Sequence, residues 1–218
     1  MTTSTFYPDA HPEVSSVDGR TAATTPDGLD WATIIARPGN YSQDAGEAVQ
    51  VLMKTGVQVN MWMILERGII LFDTSSLPNG CIIAGAKLRL YIASRIDELG
   101  ISPNMNVYSS SPVSNTALQS DDYSSCGTIP FSTAKPYGSL VSSTWVEFIL
   151  NDAGIAAISK TGVSKFSLRN ANYDVSGVAP TIVPWKQVKE SWVYARSAEY
   201  ADGSYRAQLV VTYALLFP

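Results

Sequence analysis

The sequence predicts an all-β chain, an antiparallel sandwich or barrel carrying one short helix. Three observations carry that prediction. Apolar and polar residues alternate in short runs, as strands with one buried and one wet face require. Gly, Pro, Asn and Asp punctuate those runs at short intervals. The polar character comes from hydroxyls, with 42 Ser and Thr in 218 residues and only 16% charged, against roughly 25% in an average soluble domain. At 45% hydrophobic the chain has enough apolar side chain for a core; disorder, a coiled coil and a collagen-like repeat are excluded.

Taken in order, residues 1–30 read as a turn-rich arm, with Asp18-Gly19 and Asp27-Gly28 as hairpin signals. Trp31–Ala36 reads as a short strand stopped by Arg37-Pro38-Gly39. Ala48–Lys54 is the next strand, and Thr55-Gly56 joins it in a tight hairpin to Val57–Leu65. There Val57, Val59, Met61, Met63 and Leu65 share one face, and Trp62 falls on the other, presented to whatever covers it. Gly68–Asp73 is a strand too apolar for one wet face, and the SSLPNG segment turns the chain. In Ala86–Ile92, Leu88, Leu90 and Ile92 alternate with Lys87, Arg89 and Tyr91, which gives a core face and a polar face. Met105–Ser109 and Trp145–Leu150 are further strands, separated by a Ser/Asn/Asp-rich loop from Ser110 to Ser125. Asn151-Asp152 before AGIAAIS, with Thr161-Gly162 after it, signals a capped helix of about two turns. Ser164–Arg169, Gln187–Ala195 and Tyr205–Tyr213 supply the last strands, all in a single domain spanning 1–218.

Several functions are excluded or disfavoured. The net charge of −4 has no basic block behind it, so a nucleic-acid partner is disfavoured. The apolar runs MWMIL and IILF are far shorter than the roughly 20 residues of a membrane helix. The opening MTTSTFYPDA shows neither the basic nor the apolar region of a signal peptide. Cys81, Cys126 and the lone histidine His11 are too few for a structural zinc site, and any Ser-His-Asp device would have to run through His11. Cys81 and Cys126 could pair, but with no mark of an oxidising secretory route they are expected rather as buried free thiols.

The remaining candidates have ordinary readings beside functional ones. Asp121 and Asp122, with Asp97, Glu98 and Asp73, could supply oxygen ligands to calcium, or could be solvated loop acids. Glu147 with Asp73 or Glu66 could form a glycosidase pair, although nothing in the sequence fixes their separation. Trp185, Trp192, Tyr194, Tyr200 and Tyr205 crowd one segment, where aromatic rings serve a core, a protein partner or a sugar. Trp62, between Met61 and Met63, calls for cover, which another subunit could supply. Lys87, Arg89 and Arg67 read as a polar sheet face. The closing Leu215-Leu216-Phe217 is expected to pack on its own domain or on a neighbouring chain.

RGIILFDTSSLPNGCIIAGAKLRLYI, residues 67–92, resembles the signature of the DNRLRE-like β-sandwich family: a basic residue before an apolar strand, an FD-S-LP turn, and an A-K/T-L-R-L-Y strand. WVEFILNDAGIAAISKTGVSKFSLRNANYD resembles its following strand, short helix, strand and loop, and YRAQLVVTY its closing strand. FYPDAHPEVSSVDGR is similar to the start of the version found in phage and metagenomic proteins. The likeness thins at residues 30–66 and 180–204. It implies a jelly-roll-like sandwich with no catalytic residues, used for structure or adhesion and related to carbohydrate-binding modules. A free-standing domain without an export signal suits a virion, where the expected role is capsid decoration as a homo-oligomer through protein contacts. The alternative is a glycan-binding or receptor-binding tip.

Overall fold

The computed structural model describes residues 1–182 and 188–215. Twelve strands build it: β1 (Thr2–Phe6), β2 (Asp18–Leu29), β3 (Tyr41–Gln43), β4 (Ala48–Thr55), β5 (Trp62–Asp73), β6 (Ile82–Asp97), β7 (Met105–Ser110), β8 (Cys126–Pro130), β9 (Thr144–Ile149), β10 (Val163–Asn170), β11 (Glu190–Arg196) and β12 (Gln208–Ala214). Three short helices, α1 (Trp31–Ala36), α2 (Asp122–Ser125) and α3 (Asp152–Ala156), sit between them. Every strand pairing is antiparallel.

Two long strands make the sandwich. Along one edge β6 pairs first with β12 and then with β11, while β9 takes its other edge. In the same way β5 pairs with β4 and then with β10 along one edge and with β2 along the other. The β4–β11 pair therefore joins the two layers. Between them lies a core to which Val49, Val51, Ile70, Phe72, Leu88, Leu90, Ile92, Phe148, Phe166, Leu168, Val193 and Leu209 contribute. The alternation expected in β6 holds, and Gly68–Asp73 is buried on both faces, as its composition requires. Ile70 and Phe72 enter the main core, and Ile69 and Leu71 meet Val17, Leu118 and Cys126 on the other side.

Four expectations change. Residues 1–30 are not an arm of turns: β1 pairs with β12, and β2 pairs with β5 and β3. Asp18-Gly19 opens a strand, because a Cβ at Gly19 would lie 2.2 Å from the Gln43 carbonyl oxygen, so glycine permits a close approach rather than a turn. Gly28, at φ +79°, marks an irregularity in β2.

Trp31–Ala36 is a helix. The Asp30 carboxylate accepts the Thr33 N–H at 2.9 Å and the Thr33 hydroxyl at 2.6 Å, and this cap outweighs the β-branched residues' strand preference. It turns Trp31 and Ile34, three residues apart, into the interior together.

The hairpin loop runs through residues 56–61, closed by Gly56 N–H on the Met61 carbonyl at 2.7 Å with Asn60 at φ +62°. Val57 and Val59 stand in solvent in this loop. A register shift pairs Lys54 with Ile64 but Thr55 with Trp62, which reverses the face of Trp62. It is 1% exposed, edge-on to Trp31 at 4.6 Å, in a second core with Met53, Leu65 and Tyr123.

Arg67 does not share the polar face of Lys87 and Arg89. It is 3% exposed and forks onto Asp174, as does Arg169, with contacts of 2.6–3.0 Å. Arg67 also donates to the Tyr123 and Ile35 carbonyls, and Arg169 to those of Cys126 and Gly127. The helix α3 forms with the expected cap, the Asn151 side chain accepting the Gly154 N–H at 2.9 Å, but it ends at Ala156, short of two turns and of Gly162. Cys81 and Cys126 are free and buried in different clusters.

Candidate functional site

Strand period two carries the site. Val193 and Ala195 point into the main core, so Trp192, Tyr194 and Arg196 project from the outer face of β11. Across the ladder Tyr194 stands opposite Gln50 and Trp192 opposite Leu52, which in turn stands opposite Glu66. Glu66 is opposite Ala22, and Arg20, two residues along β2, is opposite Gln43 of β3. Residues from four separate strands thus share one face with the aromatic pair.

They enclose a cleft of about 420 Å³ lined by Arg20, Gln43, Glu47, Gln50, Glu190, Trp192 and Tyr194. Its walls are held by hydrogen bonds. Arg20 donates to Gln50 Oε1 at 2.8 Å and to Gln43 Oε1. Trp192 Nε1 donates to Glu190 Oε1 at 3.1 Å, and Glu190 is paired with Lys54 at 3.1 Å. The Tyr194 hydroxyl donates to the Glu47 carbonyl at 2.8 Å. Arg196 reaches Glu47 at 3.3 Å and covers the rings of Tyr194 and Tyr200, at 5.2 and 3.7 Å.

Beneath Arg20 lies the Glu66 carboxyl, 9% exposed. Burial pushes its pKa up to about 7, with Arg20 offsetting only part of the effect. That value suits a general acid. Its Oε2 is buried, however, and Glu66 is not among the residues that line the cleft. Glu147, the other glycosidase candidate, is hydrogen-bonded by Lys87 at 2.8 Å and paired with Arg89 at 3.0 Å, and these contacts hold its carboxyl below the ordinary range.

Of the residues singled out in the sequence, Trp192 and Tyr194 meet in the cleft, and Tyr200 borders it through Arg196. Trp62 is in the second core and offers no surface. Trp185, Leu216 and Phe217 lie outside the described residues. The calcium candidates separate: Asp121 is exposed, whereas Asp122 is buried with its oxygens accepting the Val113 and Gln119 N–H groups at 3.1 and 2.8 Å. Asp97 is likewise occupied by Ser191, Ile101 and Ser102. Among the described residues no group of three His, Cys, Asp or Glu could hold a metal ion.

Sequence reasoning missed Arg20, Gln43 and Gln50, and weighed Glu66 only as an acid. Glu66-Arg67, a charged pair inside the apolar run MWMILERGIILF, was the available signal, because charges within such a run mark a buried polar feature. No family model and no curated protein matches this chain.

Proposed function

We propose that this chain is a non-enzymatic binding module that attaches to a glycan through the cleft at Trp192 and Tyr194. The observation that supports the reading is the composition of the cleft. Two aromatic side chains stand beside Gln43, Gln50, Arg20, Glu47 and Glu190. A sugar ring offers apolar C–H faces to an aromatic ring and a girdle of hydroxyls to amides, guanidinium and carboxylates. The walls are fixed by their own hydrogen bonds, so little ordering entropy opposes binding. The resemblance of residues 67–92 to the DNRLRE-like family, with its relation to carbohydrate-binding modules, points the same way.

Binding to a glycan array, before and after Trp192→Ala, tests the reading, with the melting temperature reporting the fold. Loss of binding with the fold intact is expected. An array without any hit, or hits that survive the substitution, would overturn it.

A second reading places the protein on a virion, as a homo-oligomeric decoration of the capsid shell. It rests on the likeness to the phage version of that family and on one surface feature. Ile82 is 56% exposed at the start of β6, beside the partly buried Ile83 and Ile155, a small apolar surface that burial in an interface would stabilise. Trp62, being buried, lends this reading nothing. Microscopy of intact particles checks it: density for the protein on the head supports decoration, and its absence from particles removes it.

A further inference from the structure

We infer that the ligand of the cleft is an extended, uncharged glycan chain, and that Tyr91, Trp145 and Tyr205 form a second subsite for it; this deepens the glycan reading and rests on it. The same outer face continues past β11. In β6 an irregularity opposite Tyr194 and Ala195 keeps Ser94 and Tyr91 both on that face, and Tyr91 stands directly opposite Trp145 of β9. Their rings meet edge-on at 5.7 Å. Tyr205, from the loop before β12, lies 4.2 Å from Tyr91 and 6.0 Å from Tyr200. Tyr200 is stacked under Arg196, which also covers Tyr194 at the cleft. A row of half-buried rings, joined to the cleft through Arg196, therefore runs across β11, β6 and β9.

The charges along this row decide the class of chain. Arg196 is paired with Glu47, Lys54 with Glu190, and Lys87 and Arg89 with Glu147. Arg20 has two of its nitrogens on Gln43 and Gln50. A polyanion would have to displace these partners, and each exchange would give up a charge-assisted contact to gain one. A neutral chain needs only hydrogen-bonding edges and the ring surface left beside the guanidinium groups, Arg196 lying over Tyr194 and Tyr200 and Arg89 over Trp145 at 4.7 Å. A single terminal sugar would fill the cleft and leave the distal rings unused.

The test is calorimetry with neutral gluco- and manno-oligosaccharides of one to six rings, and with an oligouronate of matched length. Affinity for neutral chains is expected to rise at least about tenfold from the shortest to the longest. Trp145→Ala is expected to remove that gain while leaving the shortest ligand's affinity unchanged. Tyr205→Ala, in a loop rather than a strand, gives the same readout if the strand variant fails to fold. Length-independent binding that still requires Trp192 would overturn the extension and leave the cleft reading standing. Preference for the oligouronate would overturn the charge assignment, and no binding at any length would overturn both readings.

Discussion

Arg20 Nε and Glu66 Oε2 face each other at 3.9 Å under the cleft, both buried and neither with a hydrogen-bond partner among the described residues. At that separation the pair is too long for a hydrogen bond, so Glu66 gains Coulombic help without a bonded proton. Burial then dominates, and the carboxyl titrates at about 7. A raised carboxyl makes the folded state hold its proton above the unfolded pKa. Stability therefore falls as pH rises from about 4.5 to about 7 and is level beyond. The span is on the order of 3 kcal/mol. Glu66→Gln is expected to flatten that slope and to stabilise the protein at pH 8 by about 1–3 kcal/mol, measured by urea unfolding across pH. An unchanged slope would show that Glu66 ionises freely.

A second group acts in the same direction. Asp18 is fully buried; its carboxyl is pushed well up by burial and by Glu199 and Glu13, and among the described residues the Ala198 N–H at 3.2 Å is its one hydrogen-bond donor. Ionising it as pH rises costs stability. Asp18→Asn, which still accepts that N–H, is expected to resist urea better than the wild type at pH 8 and to lose the advantage at acid pH. Equal resistance at both would mean the acid is already relieved.

Asp174 responds with the opposite sign. Burial pushes its carboxyl up, but Arg67 and Arg169 outweigh burial and hold it below its ordinary value. Its contribution is present at neutral pH and is lost as pH falls through that lowered value. Asp174→Asn would leave two buried guanidinium groups without a counter-charge. A loss of about 3–5 kcal/mol is expected, read from the shift in denaturation midpoint. A loss below about 1 kcal/mol would mean that the carbonyls around Arg67 and Arg169 suffice.

Cys126 is expected to be inert. Burial pushes its thiol up to about 11, and the nearby Arg67 and Arg169 do not reverse this. A thiol reagent at pH 8 should label it only after denaturation, and labelling of the native protein would place it at the surface.

What the sequence made legible follows from how local each signal is. Leu88, Leu90 and Ile92 could be assigned to the core because one regular strand keeps its own parity, and Trp192 and Tyr194 could be paired for the same reason. Trp62 could not be assigned, because a register shift opposite Thr55 changes parity and leaves no mark in residue types. The helix at Trp31 was marked only by Asp30, a one-residue cap inside an otherwise strand-like string. Arg20, Gln43, Gln50 and Glu66 converge through pairings that span up to about 50 residues, so their meeting is a property of topology and not of any window.

These differences separate the two tryptophans that sequence alone treated alike. Trp62 is packed on Trp31, Met53, Leu65 and Tyr123; Trp192 is half exposed over the cleft, with its indole N–H on Glu190. Trp62→Ala removes a buried ring and leaves a cavity, so a loss of about 3–5 kcal/mol is expected. Trp192→Ala removes a surface ring from an exposed sheet face and should cost under about 1 kcal/mol. Thermal unfolding of both variants measures the contrast. Glycan binding should then divide the other way, surviving in whatever fraction of Trp62→Ala remains folded and vanishing in fully folded Trp192→Ala. If the two variants melt together, the register shift at Thr55 does not bury Trp62 as described, and the second core loses its centre.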